Sequence, residues 1–327
     1  MATIAEQLTS LANTKAAIKQ SIIDKGVQVA DTDPFSAYPA KIGQISGGGG
    51  ATTKYGVSID NLLGNVDADG KLSVPYDDFV FNGAGIKSLD ASALAHRFTT
   101  EDTYKCLPVT KILLPDLLQA DTNSLAYVAN GARFLIEVDL GLITDISSSN
   151  ALSYAFENAS SLATVRAPNV TTISGNFACQ NAFANTSLTS NVFPNLTTIS
   201  GSSACKYMYR GCTFDVLGLD NLTTISGDSA CQYMFNLLTI DVAEFPKLTT
   251  ITGSKACRYW FLLSKVQKVY FPALTTVGTD VFGNNAFASC SQLTEIHFRA
   301  DAQATIEAML GYAAKWGASS ASIFFDL

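Results

Sequence analysis

The sequence predicts an α/β, β-rich solenoid, in which equivalent turns of chain stack on one another, and three periodic features indicate it. A phrase of one apolar residue, two threonines and Ile or Val recurs every 26 residues, cysteines and aromatic residues share that spacing, and a proline precedes most copies. One repeat alone buries too little apolar surface to offset its lost backbone entropy, so the array must fold as a stack. The phrase begins at Val170, Leu196, Leu222, Leu248 and Leu274.

The other periodic positions keep the same register. Asp220 stands where the other repeats have the proline. We interpret the cysteines as small buried thiols, and the alternative is a set of disulfides or a metal site between turns. The repeated residues are Cys179, Cys205, Cys231 and Cys257, the aromatics Phe183, Tyr209, Phe235, Phe261 and Phe287, and the prolines Pro168, Pro194, Pro246 and Pro272.

Composition and charge exclude several classes of function. The 327 residues carry a net charge of -7 without a basic cluster, which argues against a nucleic-acid partner. No apolar run reaches the roughly 20 residues that a membrane helix needs, so we expect no membrane insertion. The N-terminus has no signal-peptide pattern, and seven cysteines fit folding in a reducing cytoplasm.

Residues 1–46 are predicted to form a separate helical module. One helix spans residues 3–24, with Thr3 and Glu6 arranged as a capping box, and a second begins at Asp33. Apolar residues at spacings of four and three form a seam on the first helix, which indicates either a coiled coil in a homo-oligomer, with a trimer favoured, or packing within a small domain. The seam residues are Ile4, Leu8, Leu11, Ile18 and Ile22.

The remaining chain divides into four predicted parts. The glycine-rich stretch 47–53 is a flexible linker. Residues 54–85 form a β-rich cap with a hairpin turn at Asp69-Gly70, and residues 86–300 form about eight turns of solenoid. Residues 301–327 are predicted to cap the far end of the solenoid. A helix from Ala302 to Trp316 is followed by a strand at Ser322–Phe325. The apolar side of that helix consists of Ile306, Met309, Leu310 and Ala313.

Each repeat is predicted to contain two short strands and a helical piece. The threonine phrase is one strand, Ala204 to Tyr209 is helical, and a second strand such as Val266 to Phe271 ends at the proline. These residues, with Ala286-Phe287-Ala288-Ser289-Cys290, resemble the BspA-like leucine-rich repeats over about Ile86 to Ala300. The Ser-Gly-x-x-Ala-Cys insertion departs from the shorter repeat of that class.

The N-terminal module contains a series of short motifs. They are Thr3-Ile4-Ala5-Glu6-Gln7-Leu8, Ala16-Ala17-Ile18-Lys19, Ile23-Asp24-Lys25-Gly26-Val27, Phe35, Tyr38, Lys41 and Ile42. With these motifs, the module is similar to one found on bacteriophage tail and tail-fibre proteins. The resemblance implies an attachment domain that fixes a distal part to the tail or baseplate.

Alternation along the second strand predicts which side chains point outward. These positions vary between repeats and include several valines, which indicates a contact surface, although a merely solvated face is the alternative. We interpret the periodic Tyr207, Tyr233 and Tyr259 as a structural stack, with a sugar-binding platform as the alternative. The candidate binding face comprises Arg166, Val192, Val216, Val242, Glu244, Lys268, Tyr270 and His297.

The residues favour binding over catalysis. His96 and His297 are about 200 positions apart, and no metal-ligand spacing or phosphate loop is present, so we expect no enzyme activity, no metal and no cofactor. The preferred hypothesis is a receptor-binding tail fibre in the virion, assembled in the host cytoplasm, with tail or baseplate proteins and a host surface protein or glycan as partners. The alternatives are a purely structural tail component and a bacterial BspA-like adhesin, which the missing signal peptide disfavours.

Overall fold

A computed structural model of the chain describes residues 15–16, 18–20, 22–23, 29–30, 32, 34, 80–82 and 109–327. The predicted linker 47–53, the hairpin at Asp69-Gly70, most of both N-terminal helices and the seam residues Ile4, Leu8 and Leu11 lie outside the described residues. The chain divides into two compact units, Met1–Gly64 and Asn65–Leu327.

In the first unit, residues 15–16, 18–20 and 22–23 are helical. Ile22 and Val29 are buried together, and Ile18 and Ile23 pack against them. Two of the seam residues therefore have apolar neighbours in the same chain, which is the kind of contact that packing within a small domain predicts. Self-association of the seam stays a prediction.

The second unit is a stack of parallel strands, and the predicted β-solenoid is confirmed. Equivalent positions at Ile112, Val138, Val165, Asn191, Leu217, Ala243, Val269 and Ile296 mark about eight turns. The strands are β1 (Val80–Asn82), β2 (Lys111–Leu113), β3 (Glu137–Asp139), β4 (Asp145–Ile146), β5 (Thr164–Arg166), β6 (Thr172–Ile173), β7 (Thr198–Ile199), β8 (Thr224–Ile225), β9 (Val242–Glu244), β10 (Thr250–Ile251), β11 (Lys268–Phe271), β12 (Thr276–Val277), β13 (Glu295–Phe298) and β14 (Ser322–Phe325).

The strands that precede the proline positions form one face of the solenoid, and this face is interrupted. One sheet has the order β1-β2-β3-β5, and a second has the order β14-β13-β11-β9. Strand β1 lies inside the stretch predicted as the cap, yet it pairs in parallel with β2, so the ladder begins before Ile86. The two turns between β5 and β9 contribute no strand to either sheet.

The threonine phrases form the second face, a six-stranded parallel sheet of the order β12-β10-β8-β7-β6-β4. Threonine pairs with threonine across most of it, and each Ile behind the second threonine points into the core. The first threonine of a phrase bonds to the previous turn: Thr197 Oγ1 donates to Thr171 O at 2.9 Å, and Thr223 Oγ1 donates to Thr197 O at 3.0 Å. The repeated hydroxyls thus join successive turns.

The third face consists of consecutive turns, so the predicted helical piece from Ala204 to Tyr209 is wrong. The backbone is left-handed at Ser203, Tyr207 and Gly211, which are four residues apart. The Cys205 N–H donates to Ala230 O in the next turn of the solenoid at 2.7 Å, whereas the Lys206 N–H bonds back to Ser203 O at 3.2 Å. An α-helix would use every N–H locally, but here every second N–H joins neighbouring turns.

The core is a set of side-chain ladders between the three faces. Six aromatic rings from Phe156 to Phe287 follow one another with centroids 5.0–6.1 Å apart. The predicted cysteine ladder is fully buried, and burial raises the pKa of the Cys179, Cys205 and Cys231 thiols. Gly227 marks a tight approach of two turns, because a Cβ there would lie 2.6 Å from Ser200 O and nearer still to Gly201 O.

The C-terminal end departs from the predicted single helix. One α-helix, α1 (Gln303–Glu307), follows a 3-10 turn at Ala300–Ala302, and a second 3-10 segment spans Tyr312–Gly317. The left-handed Gly311 breaks the helix and lets the buried Trp316 fold back, with Nε1 donating to Leu310 O at 3.0 Å. Leu310 and Ala313 are therefore exposed rather than on a buried apolar side. Strand β14 spans the predicted residues and pairs in parallel with β13.

Candidate binding face

The strand register brings five of the eight predicted face residues into two neighbouring rows. Val242 lies beside Lys268, and Glu244 lies beside Tyr270, which lies beside His297. Because these positions alternate with the buried Ala243, Val269 and Ile296, both rows point away from the core. The predicted grouping of these five residues follows directly from parallel stacking.

Arg166 lies in the other sheet of this face. Its side chain is 64% exposed, and its guanidinium lies 3.2 Å from Glu137, which also pairs with Lys111 at 2.8 Å. The hydrogen bond from Lys111 is the main cause that lowers the pKa of Glu137. Two interrupted turns separate Arg166 from the rows on β9, β11 and β13.

Val192 does not point outward as predicted. Its side chain is only 5% exposed, and its backbone N–H donates to the buried Tyr209 hydroxyl at 3.1 Å instead of to a neighbouring strand. The alternation rule fails here because the chain between β6 and β7 forms no strand. Val192 is therefore a core residue, and the face loses one predicted member.

Asn191 and Gly218 interrupt the ladder. The buried Asn191 amide donates to Phe193 O at 2.8 Å and to Gly218 O at 2.9 Å, and its oxygen accepts from the Tyr209 hydroxyl at 2.6 Å. Gly218 is left-handed, with a φ of 68°. Main-chain bonds still join the two turns, from the Asn191 N–H to Leu217 O at 3.3 Å and from the Asp215 N–H to Thr189 O at 2.8 Å. At Gly218 O, however, the donor is the Asn191 side chain, and neither turn forms a strand of the sheet.

The interruption leaves a groove of about 410 Å³ on the surface. We call it the acidic groove. Val216 is 60% exposed and Val242 is 38% exposed, so the groove has an apolar part beside four carboxylates. It is lined by Asp215, Val216, Leu217, Gly218, Asp220, Asp241, Val242 and Glu244.

His297 belongs to an outward row but is covered. Its ring is stacked between Tyr270 and Phe324, with centroids 4.5 Å and 4.7 Å away. Its Nδ1 lies 2.8 Å from Asp326 and its Nε2 lies 3.0 Å from Glu295, so only 10% of the side chain is exposed. The predicted outward contact is therefore wrong for this residue, because β14 adds the covering Phe324. Hydrogen bonds from Lys268 first, and His297 second, lower the pKa of Glu295.

Comparison with known protein families identifies the class to which the repeats belong. The BspA type leucine-rich repeat region matches residues 143–255 and 205–310, in six copies. Together these stretches cover 143–310, which is more than half of the 327 residues. The chain belongs to the BspA-type leucine-rich repeat proteins. A comparison with curated proteins gave no match.

The acidic groove is where this BspA-type solenoid departs from its own repeat. Sequence reasoning included Val216, Val242 and Glu244 but missed Asp215, Asp220 and Asp241, which line the same groove. The sequence contained one indication that the repeat is irregular at this position. Asp220 is the single exception in the proline series, and it coincides with the interruption.

The tyrosines of the third face stack on each other. Tyr207 and Tyr233 are 4.5 Å apart, and Tyr233 and Tyr259 are 4.6 Å apart, in nearly parallel planes. A sugar-binding platform needs ring faces open to solvent, whereas here neighbouring rings, Lys206 and Arg258 lie over those faces. The geometry is that of the structural stack that we predicted.

Two further properties concern the described part of this BspA-type protein. None of its helices is long and apolar enough to span a bilayer. Within the same residues, no group of three or more His, Cys, Asp or Glu side chains is arranged to hold a metal ion. His96 lies outside the described residues.

Proposed function

We propose that the protein is a non-enzymatic, adhesin-like binding component that contacts its target through the acidic groove and the adjoining rows. The observation that carries this proposal is the interrupted strand ladder. A purely structural solenoid would gain stability by continuing its strands past Asn191 and Leu217, since each lost ladder bond contributes about 0.5–1.5 kcal/mol. Instead the interruption exposes Val216 and Val242 in one concave site.

The groove has the composition of a recognition site. It combines apolar contact area with polar groups that can orient a partner, as binding pockets generally do. Glu244, Tyr270 and Lys268 extend it along the outward rows of β9 and β11. The partner that we propose is a protein or glycan on a host cell surface.

We further propose that the chain is carried on a bacteriophage tail as part of the virion, assembled in the host cytoplasm. The similarity of residues 1–46 to a tail attachment module supports this, with tail or baseplate proteins as its partners and a trimer as its oligomer. Several copies on one particle would raise the effective concentration, so each groove needs only weak affinity. No cofactor has a role in this proposal.

The test uses antibody fragments specific for the groove. The groove-specific fragments are those that bind the full chain but not its Val216→Ser/Val242→Ser variant. The control fragments are those that bind the full chain but not its Leu142→Ser variant, because Leu142 is 47% exposed and lies outside the groove. Groove-specific fragments should block virion adsorption to host cells, and control fragments should not.

The other possible results of this experiment distinguish between the alternative functions. Fragments that label virions without reducing adsorption would contradict the receptor-binding role and favour a structural tail component. Failure of all fragments to label virions would contradict the tail location. Binding of the purified chain to bacterial cells would then distinguish a cell-surface adhesin.

A further inference from the structure

We infer that the acidic groove binds an extended, basic segment of a partner protein, which adds to the open edge of β9. The inference rests on the binding role proposed above, and it narrows the partner from a protein or glycan to a polypeptide of stated charge. Three features of the described residues support it. They are main-chain groups without partners beside the groove, carboxylates without cations, and exposed valines between those carboxylates.

The first feature is the separation of the two turns that form the groove. The Phe214 N–H donates to Thr239 O at 2.8 Å, and the Thr249 N–H donates to Thr223 O at 3.0 Å. Between these two bonds, no main-chain hydrogen bond joins the two turns in the part of the chain that the structure describes. The groove therefore lies where neighbouring turns of the solenoid do not pair with each other.

Strand β9 forms one edge of this unpaired region. Its partner β11 lies on the other side, where the Lys268 N–H donates to Asp241 O at 3.3 Å. Because alternate residues of a strand bond to opposite sides, the main-chain groups of Val242 and Glu244 face the groove. Among the described residues, neither of these two N–H groups has an acceptor. An unpaired strand edge of this kind is a template for an added strand.

The second feature is the charge of the groove, which has no Lys, Arg or His in its lining. None of its four carboxylates forms an ion pair with another described residue. Lys268 lies beside Val242 in the sheet, but its ammonium group binds Glu295 at 2.8 Å. Carboxylates gathered in a concave site attract cations, so the complementary partner is basic. A neutral glycan would leave these carboxylates without a cation.

The third feature is the order of side chains along the groove. In each of the two turns, an aspartate directly precedes an exposed valine and a second acid follows it. A segment with Lys or Arg on both sides of a short apolar stretch matches this order, and the methylene stems of its cations can also cover apolar surface. The residues are Asp215, Val216 and Asp220 in one turn, and Asp241, Val242 and Glu244 in the next.

The test measures binding of three labelled peptides to the full chain by fluorescence anisotropy. The first peptide has Lys on both sides of a short run of valines, and the second has Gln in place of each Lys. The third is the first peptide with its valine main-chain nitrogens methylated, which removes the N–H donors that an added strand needs. We expect the first peptide to bind about tenfold more tightly than either of the others.

Two protein variants locate the binding site. Glu244→Gln should weaken binding of the Lys peptide about tenfold. Asp145→Asn removes an exposed carboxylate of β4 outside the groove and should leave binding unchanged. Equal effects of the two variants would overturn the inference. The methylated peptide needs no substitution, so it tests the inference even if a variant fails to fold. Equal binding of all three peptides, or binding of none, would also overturn it.

Failure of this inference can be distinguished from failure of the proposed function. If groove-specific antibody fragments block adsorption but no peptide binds, the groove is a binding site for another class of partner. Binding of a neutral polysaccharide such as dextran would then favour a glycan and overturn the inference. If the Lys peptide binds at the groove but the fragments leave adsorption unchanged, the receptor-binding role is wrong and the inference of a basic peptide partner is supported.

Discussion

Replacement of Gly227 by alanine tests whether close backbone approach holds adjacent turns of the solenoid together. Gly227 belongs to the Ser-Gly element that follows each threonine phrase, and Gly175, Gly201 and Gly253 make the same approach in other turns. A Cβ at Gly227 would lie 2.6 Å from Ser200 O, and nearer still to Gly201 O. Both oxygens belong to backbone, which cannot move aside alone.

The expected loss of stability follows from the separation that the methyl group requires. Non-bonded heavy atoms pack best at about 3.5–4.0 Å, so the two turns would have to separate by about 1 Å. Nearby, the Ser226 N–H donates to Ile199 O at 2.9 Å, and the Thr224 N–H donates to Thr197 O at 3.1 Å. Separation by about 1 Å would take both beyond hydrogen-bond range. Two lost bonds at about 1 kcal/mol each and an overpacking term of about 2 kcal/mol give a loss of about 4 kcal/mol.

Urea denaturation followed by circular dichroism measures this loss, with Gly278→Ala as the matched control. At Gly278 the nearest backbone atom, Thr252 O, lies 3.1 Å from the position that the added methyl group would take, so the loss there should be about 1 kcal/mol or less. Hydrogen exchange at Ser226 should accelerate in Gly227→Ala alone. Equal losses in the two variants, or unchanged exchange at Ser226, would refute the close-approach reasoning.

Three further predictions concern buried and paired groups. In a Cys106→Ser background, native protein should react slowly with a thiol reagent at neutral pH, because the six remaining cysteines are buried and burial raises the pKa of the Cys290 thiol to about 12. Rapid labelling before denaturation would contradict this. Glu295 has a lowered pKa in the folded protein, so its charge contributes stability above the pKa of the unfolded state, and this stability is lost as pH falls through the folded-state pKa. The difference in melting temperature between the natural chain and Glu295→Gln should therefore shrink from about pH 7 to about pH 3. Asn191→Ala removes the donor to the buried Phe193 O and the partly buried Gly218 O, and the acceptor of the buried Tyr209 hydroxyl. It should lower stability by about 2–3 kcal/mol in urea denaturation, and a loss below about 1 kcal/mol would contradict the role of this amide in the interruption.

Much of the fold could be predicted because a repeat spacing determines neighbours. If Thr198 recurs as Thr224, the two must lie side by side in a parallel stack, and they do. The same logic placed Tyr270 beside His297, where the spacing is 27. Strand β14 at Ser322–Phe325 was also predictable, because an exposed sheet edge requires a closing strand.

The errors have a common cause. The helical piece at Ala204 to Tyr209 was predicted from local composition, but its alternate N–H groups bond to the next turn. Val192 was assigned outward by an alternation that requires a strand, and the strand is absent between β6 and β7. Local patterns fail wherever hydrogen bonds between turns replace bonds within one turn.

The amino-acid sequence by itself determined the stack, its period, the parallel threonine ladder and the aromatic and cysteine rows of the core. These depend only on which residues recur, since recurrence sets the neighbours. Tertiary structure alone decided where the ladder stops, which side chains form the acidic groove and that Phe324 covers His297. Those features depend on the residues that do not recur, such as Asn191 and Gly218, and their effect appears only when neighbouring turns are in contact.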